Sequence, residues 1–265
     1  MNNIAHLICS KNFSGIEQHV HELTSTLANN SDYEIFIFAD KTLEPHFQNQ
    51  RFQIFPNKFR FNLFALFKLR KLIKDHKIQI LPCHGSKSIL LGRWVSWITK
   101  VELIATVHAN KKRPVATNGF RKTIVVNELL KKTYPAAEVI GNWVNPKLEI
   151  LNSSRDEKFI AVGRLEKIKR FDLLIHAWKG IDEKLEIIGD GLEKNNLLAI
   201  IKDNNLADQI TIRSEVNSQE LGNIYRRAKG LIITSSREGG PRVALEAAAF
   251  NLPVFGTNVG VMGEL

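Results

Sequence analysis

Cysteine and long apolar runs are both scarce in this sequence. Only two of its 265 residues are cysteines, and both Cys9 and Cys83 lie inside apolar runs that are typical of strands. This predicts reduced, buried thiols in a cytosolic protein without a disulfide framework. No apolar run approaches the roughly 20 residues of a membrane span. The first apolar run, Ile4–Cys9, is too short for a signal peptide and lacks its basic flank, so we expect neither a membrane span nor export by that route.

The sequence also lacks internal repeats, low-complexity tracts and any cluster of Cys, His or carboxylate residues with metal-ligand spacing. Its 44% apolar and 24% charged residues are ordinary for a folded protein. Charge is uneven, because residues 1–150 carry 21 Lys and Arg against 11 Asp and Glu, whereas residues 151–265 carry 16 against 16. The excess of basic residues in the first half indicates an anionic partner such as a membrane surface, a nucleic acid or an acidic glycolipid. The alternative is a generally basic proteome, in which this charge indicates no particular partner.

Short apolar runs alternate with helical patterns along the whole chain. The predicted strands are Ile4–Cys9, Glu34–Ala39, Phe52–Phe55, Ile78–Cys83, Glu102–Val107, Thr123–Val126, Lys158–Val162, Leu185–Ile188, Gln209–Ile212, Leu231–Ile233 and Val254–Phe255. The predicted helices include 16–27, 61–74, 171–179, 193–203, 218–227 and 241–250. With a polar linker at 145–157, this alternation predicts two α/β, Rossmann-like doubly wound domains, residues 1–150 and 151–265, that face each other across a ligand cleft.

Two carboxylates stand out in residues 231–250, LIITSSREGGPRVALEAAAF, where a strand, a Gly-rich turn and a helix follow one another. The amides and the dipole at such a helix start favour a phosphate, and Gly239 and Gly240 allow close backbone approach. Glu238 and Glu246 would repel that anion unless they hold hydroxyl groups. A nucleotide sugar, with hydroxyls at both ends and a diphosphate between them, matches this layout. The alternative is an ordinary surface Glu at a helix start and a second Glu within the helix.

Two cations follow the strand FIAV in the segment GRLEKIKRF. Arg164 can engage phosphate oxygens through its planar fork, and Lys169 supplies a compact point charge. Together they would stabilise the charge that develops on a departing diphosphate. The alternative is that both are surface charges on a loop.

These motifs together resemble glycosyltransferase family 4, the retaining group 1 enzymes with the GT-B fold. The resemblance covers nearly the whole chain and rests on motifs in a fixed order. They are SGIEQHVHEL (14–23), PCHGS (82–86), TVHAN (106–110), VIGNWVN (139–145), GRL-x3-K (163–169), GDG (189–191) and SREGGPRVALEAAAFNLPV (236–254). The chain departs from the family at Ser14-Gly15 and at Asn142-Trp143, and it ends before the family's last strands and helix. We therefore expect a truncated second domain and a poorly active or unstable form.

The resemblance implies a role for each matching position. The residues expected at the reacting groups are Glu238 on the donor sugar hydroxyls, Arg164 and Lys169 on the diphosphate, and His108 on the sugar. The residues expected to hold the rest of the donor are Gly15, Gly239 and Gly240 near the phosphates, Glu246 at the ribose, and the turn from Ser214 to Val216 at the nucleobase. The family uses no bound metal, and the nucleotide sugar is a co-substrate, so no cofactor is expected.

Other histidines and one basic helix have competing interpretations. His84 ends a predicted strand and is either packed in the core or functional, whereas His6 and His21 are expected to be structural. The helix FRFNLFALFKLRKLIK at 59–74 either lies on an anionic membrane or covers the sheet with its apolar face.

The sequence thus predicts a metal-independent retaining glycosyltransferase that moves a sugar from a nucleotide-sugar donor to a glycan or glycolipid acceptor. Cell-surface polysaccharide or lipopolysaccharide biosynthesis is the expected setting. The expected location is the cytoplasm, and peripheral attachment to the inner face of the cytoplasmic membrane is the second option. The alternatives are a nucleotide-sugar epimerase or hydrolase on the same fold, and a basic nucleic-acid-binding protein. No aromatic-and-basic recognition motif supports the last, so no nucleic-acid partner is expected.

Overall fold

The structure is a computed structural model that describes residues 3–30, 32–48, 50–55, 63–109, 113–143, 158–238 and 242–259. The chain divides into two compact units, Met1–Asn142 and Trp143–Leu265. Each unit is built on its own parallel β-sheet, which confirms the predicted α/β class with two doubly wound sheets. The predicted linker at 145–157, and with it the predicted boundary after residue 150, lies outside the described residues.

The first unit has one sheet of parallel strands in its described part. Its strands are β1 (Asn3–Ile8), β2 (Glu34–Ala39), β3 (Arg51–Ile54), β4 (Ile78–His84), β5 (Glu102–Val107), β6 (Lys122–Val125) and β7 (Glu138–Val139). Their order across the sheet is β3-β2-β1-β4-β5-β6-β7, and each neighbouring pair is parallel. The strand order reverses between β1 and β4. In such sheets, ligands bind beyond the carboxyl ends of the strands at this switch point.

Helices connect these strands, namely α1 (Gly15–Asn30), α2 (Leu63–Asp75), α3 (Gly85–Ser96) and α4 (Glu128–Lys131). The start of α1 shows how the sequence positions a helix. Ser14 donates to Glu17 Oε2 from its backbone amide at 2.9 Å and from its hydroxyl at 2.7 Å. A glutamate that reaches back to the residue before the helix in this way satisfies an amide that has no intrahelical acceptor. The motif S-x-x-E therefore fixes the chain at the carboxyl end of β1.

The second unit has a smaller parallel sheet. Its strands are β8 (Phe159–Val162), β9 (Leu185–Ile188), β10 (Ile210–Arg213), β11 (Gly230–Ile233) and β12 (Val254–Gly256), in the order β10-β9-β8-β11-β12. The helices α5 (Phe171–Ala177), α6 (Lys194–Asp203), α7 (Ser218–Arg227) and α8 (Arg242–Ala249) alternate with them. Here the switch point lies between β8 and β11, which pair directly. The loops that follow these two strands therefore start side by side.

The central strands of both sheets are buried on both faces, as expected where helices cover a parallel sheet. In β1 and β2 every residue after the first is buried, and all four residues of β9 are buried. Leu7, Phe38 and Leu81 are fully enclosed in the first unit, and Ile187 and Leu231 in the second. Apart from His6 and Glu186, the buried positions of β1, β2 and β9 are apolar, so these strands could be located in the sequence.

The predicted elements match the observed ones with shifts of one or two residues at most ends. The helix predicted at 61–74 is α2, although residues 61 and 62 lie outside the described residues. The short strand β7 and the bounds of α3 were not predicted. Of the two thiols expected to be buried, Cys83 is buried, whereas Cys9 is only half-buried.

Candidate functional site

The predicted residues Arg164, Lys169 and Glu238 lie on the two loops at the switch point of the second sheet. Arg164 and Lys169 follow β8, and Glu238 follows β11. Two hydrogen bonds tie these loops together: the Thr234 hydroxyl donates to the Lys169 carbonyl at 2.8 Å, and the Ser236 amide donates to the Ile168 carbonyl at 2.9 Å. The backbone around Lys169 is thus fixed against the end of β11.

Lys169 and Glu238 are in direct contact. Lys169 Nζ donates to Glu238 Oε1 at 2.5 Å, and their side chains are only 19% and 16% exposed. Ser235 Oγ donates to the same carboxylate oxygen at 2.7 Å. The two residues are 69 positions apart in sequence, so the fold alone brings this cation and this carboxylate together. The sequence motifs did not reveal Ser235 as a partner of Glu238, because a hydroxyl three residues before a glutamate is too common to be a signal.

Arg164 has a different partner. Its guanidinium donates to the Glu166 carboxylate at 2.7 Å, and the side chains are 50% and 39% exposed. An exposed ion pair of this kind contributes about 0–1 kcal/mol, so an anion of higher charge could displace Glu166 at little cost. Arg164 therefore lies at the same sheet edge as Lys169 but is not in the Lys169–Glu238 contact.

Glu246 lies on α8 and is held from the neighbouring helix α7. The Tyr225 hydroxyl donates to Glu246 Oε2 at 2.9 Å, and Arg242 Nε lies 4.0 Å from Oε1. Tyr225 is fully buried, and this burial, followed by the nearby Glu246 charge, raises the pKa of its hydroxyl well above the ordinary value. The hydroxyl thus stays a donor across the physiological range. Sequence reasoning missed Tyr225, because nothing in the pattern of α7 shows which residue its hydroxyl meets.

The turn from Ser214 to Val216 is held by Asp190, which follows β9. The Glu215 amide donates to Asp190 Oδ2 at 2.9 Å, and Lys194 Nζ donates to Asp190 Oδ1 at 2.9 Å and to Ser214 Oγ at 3.0 Å. The hydrogen bond from Lys194, followed by that from the Glu215 amide, lowers the pKa of Asp190. The fold therefore fixes this turn near the carboxyl ends of β9 and β10.

The glycines beside Asp190 serve close packing. A Cβ built on Gly189 would lie 2.0 Å from the Gly163 carbonyl oxygen, and one on Gly191 would lie 2.4 Å from the Leu165 carbonyl oxygen. Side chains at these positions would force apart the turns that follow β8 and β9. Two of the three predicted site glycines, Gly239 and Gly240, lie outside the described residues.

Gly15 and His108 belong to the first unit, at the carboxyl ends of its strands. Gly15 begins α1, directly after the Ser14–Glu17 contacts, and the buried Glu17 also accepts from Ser10 Oγ. His108 follows β5 and stacks edge to face with His19 of α1, with ring centroids 4.8 Å apart. His19 and Glu17 were not predicted as site residues, although both lie in the motif SGIEQHVHEL.

Comparison with known proteins identifies the family. Residues 13–140 match the model of "Glycosyltransferase Family 4", and residues 147–265 match that of "Glycosyl transferases group 1". The chain belongs to glycosyltransferase family 4. It is therefore a transferase, and neither the epimerase or hydrolase alternative nor the nucleic-acid-binding one is favoured.

Several curated relatives of this transferase are themselves named as glycosyltransferases. The amylovoran biosynthesis glycosyltransferase AmsD of Erwinia amylovora is 26% identical over 272 residues, which cover 91% of this chain and 76% of AmsD. Two further curated relatives are matched over only 50% and 45% of their own lengths.

Solved structures support the GT-B fold. The Anabaena protein Alr3699/HepE, crystallised with UDP and glucose, superposes with a TM-score of 0.83 at 16% identity, covering 100% of this chain and 83% of that one. The lipopolysaccharide outer core galactosyltransferase WaaB gives a TM-score of 0.74 at 18% identity, covering 98% and 81%. Within the described ranges, no helix of this transferase combines the length and apolar character of a membrane span.

Proposed function

We propose that this glycosyltransferase moves a sugar, with retention of configuration, from a nucleotide-sugar donor to a glycan or glycolipid acceptor. Biosynthesis of a surface polysaccharide or lipopolysaccharide is the proposed setting. The names of AmsD and WaaB support that setting, and the UDP and glucose held by the Anabaena protein support a nucleotide-sugar donor. The observation that carries the proposal is the contact between Lys169 and Glu238 at the switch point of the second sheet.

This contact gives the two residues complementary tasks. A diphosphate carries more negative charge than one carboxylate, so a bound donor draws Lys169 away from Glu238. Glu238 is then released to accept hydrogen bonds from the sugar hydroxyls, while Ser235 still holds one of its oxygens. Arg164 leaves its ion pair with the exposed Glu166 and binds the phosphates instead. These two cations stabilise the leaving diphosphate, so this mechanism requires no metal ion there.

The rest of the donor is assigned to neighbouring groups. Glu246, which Tyr225 holds through Oε2, accepts from the ribose hydroxyls, and the Ser214–Val216 turn receives the nucleobase. Gly239 and Gly240 contribute backbone amides to the phosphates. The roles expected of Gly15 and His108, which belong to the first unit, stay predictions.

A membrane-bound acceptor suits the exposed face of α2. Leu63, Phe64 and Phe67 expose 74%, 68% and 59% of their surface on this helix. Lys71 and Lys74 lie further along the same helix and could contact anionic headgroups. On this basis we propose that the enzyme contacts a membrane, which we take to be the inner face of the cytoplasmic membrane.

The experiment that tests the function is sugar transfer by the Glu238→Ala variant. Thermal-shift screening against UDP, GDP, ADP and their sugars first selects the donor, because a ligand that binds only the folded state raises the melting midpoint. Release of the nucleoside diphosphate is then measured with lipid-linked and free glycans as acceptors. Glu238→Ala should lose transfer while keeping the wild-type melting midpoint.

Glu183→Ala is the matched control. Glu183 precedes β9 and Lys229 precedes β11, so both lie at the amino ends of the strands in the same sheet. Lys229 donates to Glu183 at 2.6 Å in an ion pair. This variant should keep transfer. Wild-type turnover by Glu238→Ala would remove the central assignment.

A further inference from the structure

Four histidines gather at and behind the carboxyl edge of the first sheet. His6 lies in β1, His84 ends β4, His108 follows β5, and His19 faces them from α1. We propose that His19, His84 and His108 form a binding site for a transition-metal ion such as Zn²⁺, with His6 as the residue that orients His84. This histidine site belongs to the first unit, whereas the cations assigned to the diphosphate belong to the second.

The first step of the argument is geometric. His19, His84 and His108 each offer one ring nitrogen, and the three nitrogens all lie within 4.8 Å of one another. Zn²⁺ binds imidazole nitrogens at about 2.0–2.1 Å, which places neighbouring ligands of a tetrahedral ion roughly 3.4 Å apart. Side-chain rotations that move each of the three nitrogens by about 1 Å would bring them to this separation. The three residues are far apart in sequence, so their spacing gave no sign of a metal site.

The second step concerns the nitrogens that would not bind the ion. His84 Nε2 lies 3.0 Å from His6 Nδ1, and both rings are buried. Among the described residues, the other His84 nitrogen, Nδ1, is buried and has no hydrogen-bonding partner. Metal-bound histidines usually have their second nitrogen held by a hydrogen bond, which fixes the tautomer and the ring orientation. His6 provides this for His84, and Nδ1 remains for a metal ion.

The third step is protonation. Only a neutral imidazole can bind a metal ion. Binding at this site should therefore weaken as the pH falls.

The choice of metal follows from the donor set. Three imidazoles suit Zn²⁺, Cu²⁺, Ni²⁺ or Co²⁺ far better than Mg²⁺ or Ca²⁺, which prefer oxygen ligands. His19 and His84 are buried, whereas His108 is only half-buried, so an ion would reach the site past His108. A tetrahedral ion on three protein ligands keeps one position for water or another small ligand.

The experiment is titration of the metal-free protein with Co²⁺, followed by visible absorption, and with Zn²⁺, followed by calorimetry. We expect one tight site, with the intense visible bands of a four-coordinate Co²⁺ ion. His19→Ala and His108→Ala should each weaken Co²⁺ binding by more than about a hundredfold, since each removes a ligand. His6→Asn should weaken it by about 10–100-fold, the usual effect of losing an orienting partner.

Two controls keep the test decisive. His176 is exposed on α5 of the second unit, so His176→Ala should bind Co²⁺ like the wild type. Far-UV circular dichroism of each variant confirms the fold, and His108→Ala is the safest variant because His108 is only half-buried. Equal Co²⁺ affinity in the wild type, His19→Ala and His108→Ala would overturn the proposal, as would a purely octahedral Co²⁺ spectrum.

Discussion

The two units share one topology but equip it with different side chains. Both sheets are parallel and have a switch point, where the carboxyl ends of β1 and β4 or of β8 and β11 lie together. The first unit places histidines there, and it holds seven of the chain's eight histidines. The second unit places the ion pair of Lys169 and Glu238 there. The topology thus gives both units the same kind of sheet edge, and the side chains that follow each strand make the two edges chemically different.

The two units also stabilise their buried polar groups in different ways. The second unit pairs a cation with a carboxylate, so the two charges compensate one another. The first unit buries His6 and His84, and burial lowers the pKa of both rings, so acid opposes their burial. We therefore expect the second unit to respond to mutation of charge and the first unit to respond to acid.

The largest effect is expected from Lys169→Ala. Removing a group that stabilises charge in the transition state typically lowers kcat by about 10²–10³-fold. Steady-state transfer kinetics with the selected donor should show a loss of kcat/KM of that size. Lys229→Ala removes the lysine of the ion pair at the opposite edge of the sheet and should change kcat/KM no more than a few-fold. Equal losses in both variants would show that Lys169 supports the sheet rather than the reaction.

A smaller effect is expected on acidification. Native His6 takes up its proton near pH 3, whereas unfolded histidine does so near 6.5, so the unfolded state binds more protons between these values. The contribution of neutral His6 to the free energy of unfolding is fully present above pH 6.5. It is lost as the pH falls, by at most about 1.4 kcal/mol per pH unit. At about pH 5 the loss is about 2 kcal/mol from His6 alone, while carboxylates are still largely ionised.

Hydrogen exchange measured by mass spectrometry at about pH 7 and about pH 5, corrected for the intrinsic exchange rates, can locate this loss. Peptides from β1 and β4 should lose protection, whereas peptides from β9 and β11 should keep theirs. Equal loss in both sheets would remove the distinction between the units. A His6→Asn protein should show less pH dependence in β1 than the wild type.

The smallest effect is expected from Tyr225→Phe. The variant loses one hydrogen bond to a carboxylate, which is worth about 1.5–3 kcal/mol. Only the fraction of this hydrogen-bond energy that orients Glu246 toward the ribose contributes to binding. The Kd of the nucleoside diphosphate should therefore rise about tenfold. Tyr134→Phe is the control, because its hydroxyl accepts from the Val115 amide in the first unit at 3.1 Å. A Kd that rises equally in both variants would assign Tyr225 a structural role only.

Much of the fold could be predicted because the strands are short apolar runs with clear ends. Three strands, Glu34–Ala39, Glu102–Val107 and Leu185–Ile188, have the predicted bounds. The strand β7 was missed because two residues are too few to show an alternation. The bounds of α3 were missed because this buried helix shows little polar periodicity, as Ser88, Ile89, Leu91, Gly92 and Val95 are all buried.

The candidate site was predictable only to the level of single residues. Lys169 and Glu238 could be selected because each follows a strand, but their direct contact depends on β8 lying beside β11. Tyr225 of α7 contacts Glu246 of α8, and His19 of α1 contacts His108 after β5. A single sequence does not show such pairings. The roles of the predicted site residues remain predictions.

The central claim is that Lys169 binds the diphosphate and Glu238 binds the sugar. Calorimetric titration of Glu238→Gln with the selected nucleotide sugar and with its nucleoside diphosphate tests it most directly. The account predicts that the variant binds the nucleoside diphosphate at least as tightly as the wild type, since Lys169 is released, but loses the additional affinity that the sugar provides. A variant that binds both ligands like the wild type, or loses both equally, would contradict it.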